Sequence, residues 1–380
     1  MSNDLGLDGF AFVEFCGPDP KSMAKMLENL GFVATDCHPY KPIRRFRQGE
    51  INFILHDEAT HHAAQFAKTH GPSACGMGFF VDDPNLAFNL ALSRGAQASS
   101  PEQSALGSLS FVLNGIGGLN LYLVSREGLF CDWLPIEGAA RDDSPQGLKI
   151  LDHLTHNVHR GQMRVWSGFY AKVFGFEEQK YFDIKGQSTG LFSQAMIAPD
   201  GQIRIPLNES KDAQSQIEEY LRDYNGEGIQ HIALTTDDIY QTIEWLKSRG
   251  IKFQSTPETY YELVDARIPH HGEDLERLKA NNILIDGDVE REGLLLQIFT
   301  ENTFGPIFFE IIQRKGNQGF GNGNFQALFE SIELDQIRRG IIADPNGTLA
   351  QGKTYAATKL LALLSLVSCS YWLTPQRSEL

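Results

Sequence analysis

Three side chains of metal-ligating type, His153, His231 and Glu310, stand 78 and 79 residues apart in the chain. No single loop can gather residues at that spacing, so three separate elements must converge if the three act together. Each falls in an apolar run that reads as a strand, at residues 150–155, 228–235 and 307–312. Glu310 sits in the middle of the last run, Ile307-Phe308-Phe309-Glu310-Ile311-Ile312, where apolar residues occupy both faces, as in a buried strand. A buried carboxylate without a partner is costly, so it must be hydrogen-bonded, ion-paired or bound to a metal. Two imidazoles and one carboxylate on rigid strands form a facial triad, which leaves open positions for substrate and O2 on non-haem Fe(II). Singly, each residue has a plainer explanation. A lone buried histidine is more often a hydrogen-bonded core residue, and Glu310 could pair with a buried arginine such as Arg204. His156 has the opposite strand parity to His153, and His159 lies in a more polar run, so both read as structural or solvated. The pairs His61-His62 and His270-His271 sit in polar sequence and read as surface loops.

The elements that would carry these residues recur. A strand at residues 9–15, a helix at 20–30 and strands near 31–34, 51–55, 76–83 and 119–124 make up a first half. Residues 126–147, with Pro135, Gly138, Pro145 and Asp142-Asp143, have linker composition. The programme then repeats. Residues 150–155 match the opening strand, and the helix at 164–175 leads into Gly175-Phe176 as the first leads into Gly31-Phe32. Residues 228–238 match 74–83, each followed by a helix ending Ser-Arg-Gly, and residues 305–312 match 117–124. At the positions of His153, His231 and Glu310 the first half carries Phe12, Gly76 and Tyr122, so the ligand types are confined to one copy. Such a repeat fixes architecture before any motif does. The expected class is α+β, with tandem βαβββ modules forming two open barrels and the metal site in the C-terminal one. This is the pattern of the glyoxalase/extradiol-dioxygenase (vicinal oxygen chelate) superfamily. The expected organisation is residues 1–125, a linker 126–147, a catalytic domain 148–340 ending in a lid helix 324–339, and an atypical tail 341–380. The lid helix is read from Phe325, Leu328, Phe329 and Ile332 at i, i+3, i+4, i+7 after Asn324 as N-cap. It follows a glycine-rich loop, Gly316 to Gly323, that lacks the Lys-Ser/Thr ending and the context of a phosphate-binding loop.

Bulk properties narrow the partners. A net charge of −15 argues against nucleic acid and anionic membrane surfaces. Five scattered cysteines without a CxxC spacing, and an N-terminus without a basic and apolar leader, read as reduced thiols in the cytoplasm. In the tail, residues 360–376 are uncharged and largely apolar, yet short for a membrane span.

The second half resembles the 4-hydroxyphenylpyruvate dioxygenase family. The resemblance rests on LDHLTHNV (151–158), RIPLNE (204–209), GEGIQHIAL (226–234), LLLQIFT (294–300), GPIFFEIIQRKG (305–316) and GFGNGNFQALFESIE (319–333). It implies one Fe(II) per subunit held by His153, His231 and Glu310. It implies substrate contacts at Ser193, Pro206, Asn208, Gln216, Gln230, Gln297, Phe299, Phe308, Phe320, Phe325 and Phe329, with Gln230, Gln297 and Asn208 taking catalytic roles. The substrate would be an aromatic 2-keto acid, used with O2 and without separate 2-oxoglutarate, to give homogentisate and CO2 in tyrosine breakdown. A homo-oligomer, dimer or tetramer, is also implied. Strand parity agrees in part, since Pro206 and Asn208 share one face, as do Gln297 and Phe299, and Phe308 and Glu310. Hydroxymandelate synthase resembles the same family but has a smaller aliphatic residue where Phe299 stands. Extradiol ring-cleaving enzymes and non-enzymatic ligand-binding modules share the fold.

Overall fold

The computed structural model describes residues 2–58, 60–100, 104–106, 111–139, 147–185, 190–213, 215–321, 323–324, 326–328, 331 and 338. The expected lid helix 324–339 falls largely outside these residues, and the tail 341–380 does so entirely.

Two eight-stranded curled sheets make up the body. The first contains β1 (Leu7–Cys16), β2 (Val33–Cys37), β3 (Ile43–Gln48), β4 (Ile51–His56), β5 (Ser73–Val81), β6 (Phe111–Asn114), β7 (Asn120–Val124) and β8 (Leu134–Pro135). The second contains β9 (Leu151–Val158), β10 (Glu177–Lys185), β11 (Gly190–Ile197), β12 (Arg204–Ser210), β13 (Gly228–Thr235), β14 (Leu284–Asp288), β15 (Gly293–Phe299) and β16 (Phe308–Lys315). The strand orders are β6-β7-β5-β1-β4-β3-β2-β8 and β10-β11-β12-β9-β13-β16-β15-β14. β8 comes from the segment with linker composition and pairs with β2.

Each half is itself a pair of strand-helix-strand units. β1 pairs in parallel with β4, and β5 with β7, while β1 and β5 run antiparallel. The second half repeats this with β9/β12, β13/β16 and β9/β13. The crossover helices start where short polar side chains can satisfy free amide groups. Asp19 accepts from Ser22 N before Pro20–Asn29, Asp83 from Asn85 N and Leu86 N before Pro84–Ser93, and Asp238 from Gln241 N before Ile239–Ser248. The helix Met163–Phe174 stops at Gly175, in the left-handed region at φ 75° that a glycine cap occupies without strain.

The two halves share one core. Phe15 of β1 packs edge-on to Phe304 with ring centroids 5.0 Å apart, and Phe53 of β4 meets Phe309 of β16 at 5.9 Å. Gly31 is required at this seam, because a Cβ there would lie 2.3 Å from the Trp245 ring. Alternation sends Leu154, Ile205, Leu207, Ile232, Leu234, Phe309 and Ile311 to this core. The opposite, inner face of the second sheet is thereby left to polar and aromatic residues. Phe53 is fully buried and also packs on Phe15 and Phe32. Phe53→Ala is expected to cost about 3–5 kcal/mol in chemical denaturation, because the cavity opens where both halves meet.

Candidate metal centre

Sheet register brings the three ligand residues together. Ala233 pairs with His153 and with Glu310, and His231 pairs with Thr155 and Phe308, so His153, His231 and Glu310 lie on adjacent strands of the inner face. Their ligand atoms all fall within 4.8 Å of one another. His153 Nε2 is 3.1 Å and His231 Nε2 3.3 Å from the same Glu310 oxygen, Oε2. In the first sheet the corresponding register is Phe12–Gly78–Tyr122, with Gly76 two residues before Gly78. That places Phe12, Gly76 and Tyr122 where His153, His231 and Glu310 stand, as the repeat implied. Phe12 and Tyr122 close that space with ring centroids 5.2 Å apart.

Each ligand has its own orienting partner. His153 Nδ1 bonds Asp152 Oδ1 at 2.8 Å, and His231 Nδ1 bonds Gln230 Oε1 at 2.9 Å, so both Nε2 atoms are free to face the centre. Gln297 Nε2 donates to Glu310 Oε1 at 2.9 Å, leaving Oε2 toward the histidines. Gln297 is held in turn by Asn324 Nδ2 at 2.8 Å, and Asn324 accepts from the Tyr260 hydroxyl at 2.5 Å. Asp152 is gripped by Arg314 through two bonds, of 2.8 and 2.7 Å, and by Arg204 at 3.4 Å. Arg204 thus pairs with Asp152 rather than with Glu310. Arg314 also donates to the carbonyls of Asn317 and Gly319, tying the glycine-rich loop to the ligand set. Gly321 of that loop lies on Gln297; a Cβ there would sit 1.6 Å from Oε1, and its φ of +74° suits glycine.

Strand geometry explains why Gln230 can serve. Between Ile229↔His156 and His231↔Thr155, β13 carries one extra residue, a bulge at Gln230. The bulge turns two successive side chains toward one site. Asp152 and the Gln230 bulge were both missed in the sequence, because strict alternation assigns them to the opposite face.

Electrostatics divides the protons unequally. Burial opposes the charge on Glu310, but His153 and His231 outweigh it and bring its pKa down to about 2. Burial likewise opposes the Asp152 charge, and Arg314 and His153 hold it well below the usual carboxylate range. His153 is pushed up against burial by Glu310 and Asp152, whereas burial keeps His231 below its usual value. A carboxylate with two convergent imidazole nitrogens fits a divalent cation, which would replace the proton favoured on His153.

The expected contact residues divide by location. Phe308 stacks on His231 with centroids 5.0 Å apart and an angle of 21°, Phe320 is edge-on to His153 at 5.2 Å, and Phe299 is edge-on to Phe308 at 6.0 Å. Ser193 and Asn208 are register partners on β11 and β12, and Pro206 pairs with Ala195. Asn208 also pairs with Asn157 of β9, so this polar row shares the His153 face. Thr155 Oγ1 and both amide atoms of Asn157 are buried there without hydrogen-bond partners; parity with His153 was the available signal. Gln216 is the first residue of the helix Gln216–Asp223 and is half-buried. Phe325 and Phe329 lie outside the described residues. His156 is fully buried and bonded to the Tyr170 hydroxyl at 2.9 Å, and His159 is exposed. His61 and His62 open the helix His61–His70 instead of lying in a loop. An open cleft of 420 Å³ at the seam of the halves, lined by Glu28, Gly31, Phe32, Ile136, Glu137 and Arg249, contains none of the ligand set. No helix among the described residues is long and apolar enough to cross a membrane.

Paired curled sheets, with two histidines and one carboxylate in the second that could hold a metal ion, fit the vicinal oxygen chelate class. The family model for the N-terminal part of hydroxyphenylpyruvate dioxygenase matches residues 1–129, and that of the glyoxalase/bleomycin resistance protein/dioxygenase superfamily matches residues 150–263. A 4-hydroxyphenylpyruvate dioxygenase of Pseudomonas aeruginosa is 55% identical, over 90% of this chain and 97% of its own length. One from Legionella pneumophila is 51% identical over 90% of this chain and 99% of its own. A solved mutant of 4-hydroxymandelate synthase from Streptomyces coelicolor superposes with a TM-score of 0.74 at 26% identity, covering 87% of this chain and 99% of that one. The chain belongs to the 4-hydroxyphenylpyruvate dioxygenase family, a family of oxidoreductases.

Two outcomes follow from the site. Asp152→Asn is expected to lower Fe(II) affinity by about 10–100-fold in anaerobic titrations. In the metal-free protein the Glu310 pKa is lowered from 4.5 to about 2, so its contribution to stability is complete above 4.5 and is lost as pH falls toward 2. Urea unfolding across this window is expected to show the loss, and Glu310→Gln to remove that part of the pH dependence.

Proposed function

We propose that this chain is an Fe(II)-dependent dioxygenase that converts 4-hydroxyphenylpyruvate and O2 to homogentisate and CO2. The observation that carries the reading is the triad with three separate orienting partners, set among Phe299, Phe308 and Phe320, in a chain 55% identical to a relative of that name.

His153, His231 and Glu310 would hold the iron, which when bound supplies activation of O2 and oxidative decarboxylation of the keto acid. The substrate carries its own 2-keto acid, so separate 2-oxoglutarate has no role in this reading. The chain's residues bind and orient. Phe308 and Phe320 flank the two histidines and form an apolar wall for the ring. Asn208 stands four residues along β12 from the residue paired with His153, about 13 Å at strand rise. Together with Ser193 it offers hydrogen bonds to the phenolic oxygen at the far end. Pro206 lies between Arg204 and Asn208 on β12, on the same face. Gln216 begins a helix whose N-cap, Ser215, meets the hydroxyl of Ser210, two residues beyond Asn208 on β12. Gln230 and Gln297 act on the reaction through His231 and Glu310, which they hold in place. The glycine-rich loop, tied to the ligand set through Arg314, covers the pocket and excludes water. A cytoplasmic location and a dimeric or tetrameric assembly belong to this reading through family membership.

The second reading, oxidation of the side chain to 4-hydroxymandelate, is favoured only by the likeness to the synthase structure. Phe299, beside Glu310 in register, is the residue expected to separate the two.

The test is anaerobic Fe(II) reconstitution, then O2 and 4-hydroxyphenylpyruvate, with products identified by mass and chromatography. Homogentisate is expected, with turnover abolished in His153→Ala, His231→Ala and Glu310→Ala while the fold survives. Full activity in any of the three, or 4-hydroxymandelate as the main product, would overturn the assignment.

A further inference from the structure

The first sheet carries a second cluster of ligand-type groups that the proposed reaction does not use. Glu14 on β1, His56 on β4 and Cys75 on β5 bring a carboxylate oxygen, a ring nitrogen and a sulfur within 4.8 Å of one another. All three are buried, with exposures of 1%, 4% and 0%. Glu14 Oε1 meets His56 Nε2 at 2.6 Å, but Glu14 Oε2 and His56 Nδ1 have no hydrogen-bond partner. Buried polar atoms are rarely left unsatisfied, so the protein side chains alone do not complete this site.

Register relates the cluster to the triad of the second sheet. Cys75 is the extra residue between Ala74↔Phe15 and Gly76↔Glu14, just as Gln230 is extra between Ile229↔His156 and His231↔Thr155. Cys75 therefore stands where Gln230 stands, and Glu14 where Thr155 stands. Phe15 pairs with Leu55 as His156 pairs with Leu207, which puts His56 at the position of Asn208. The first half has Phe12, Gly76 and Tyr122 at the triad positions, yet it holds another three donors one step further along the same inner face. Gly76 makes room for them, since a Cβ there would lie 2.3 Å from Glu14 Oε2.

We propose that Glu14, His56 and Cys75 bind a second divalent cation of the zinc type. One carboxylate and one thiolate neutralise its charge in a dry interior, and a neutral imidazole adds a third donor. Sulfur selects zinc over magnesium or calcium. Complete burial makes the site structural, with no route for substrate.

The test is the full chain expressed in Co(II)-supplemented medium, with metal content and absorption spectrum measured together. The triad contains no sulfur, so of the two sites the proposed one alone can give a thiolate-to-cobalt charge-transfer band. Two equivalents of cobalt and that band are expected in the unaltered protein, with one equivalent and the band retained in His231→Ala. Cys75→Ser, and separately His56→Asn, are expected to lose the band and one equivalent. A single equivalent without the band in the unaltered protein would overturn the proposal, even if the variants fail to fold. Persistence of the band in folded Cys75→Ser would overturn it as well.

Discussion

A carboxylate buried in the middle of a strand is the constraint around which the second half is built. Glu310 is 3% exposed, with apolar residues before and after it. Its charge is stable there because two imidazoles face one oxygen and the Gln297 amide donates to the other. That arrangement in turn demands that His153 and His231 present their Nε2 atoms, which Asp152 and Gln230 ensure. Asp152 is itself a buried charge, and its bidentate pairing with Arg314 explains why an arginine follows Glu310 four residues later on β16. The requirement thus propagates outward from one carboxylate to a network spanning β9, β12, β13, β15 and β16. It ends in the glycine-rich loop, whose carbonyls Arg314 also holds.

The two halves show how one architecture yields a reactive and an unreactive barrel. Both have the same parallel and antiparallel pairings and a bulge at the same place. In the first, Phe12, Ile54, Tyr122, Val124 and Trp133 fill the inner face with a core of its own. In the second, the same face is left to polar groups and half-buried phenylalanines, while the shared core lies behind it. Stability is therefore carried by the seam and the outer faces, which frees the second inner face for chemistry.

The strands bearing the ligands were legible in the sequence because burial on both faces leaves continuous apolar runs, and the repeat tied His153, His231 and Glu310 to equivalent positions. The opening strand was legible for the same reason, and the first helix through Met23, Met26, Leu27 and Leu30 on one face. β3 was not, because Arg44 and Arg45 interrupt its pattern; in the fold their guanidinium groups reach Asp57 and Asp36 and lie over the Phe46 and Phe130 rings. The helix His61–His70 escaped notice because only Ala63 and Phe66 are buried along it. Among the expected site residues, Pro206, Asn208 and Phe308 came through the family resemblance, with strand parity agreeing in part. Asp152 and the bulge at Gln230 were not, since their roles depend on backbone geometry and long-range pairing with Arg314.

The proposed iron site has His153, His231 and Glu310 as its ligands, each separately oriented. X-ray absorption at the iron edge of the Fe(II)-loaded protein tests it most directly. A first shell of nitrogen and oxygen only is expected, with outer-shell scattering from two imidazoles, falling to one in His231→Ala if iron is retained. A first shell containing sulfur, or a two-imidazole signal unchanged by that substitution, would contradict it.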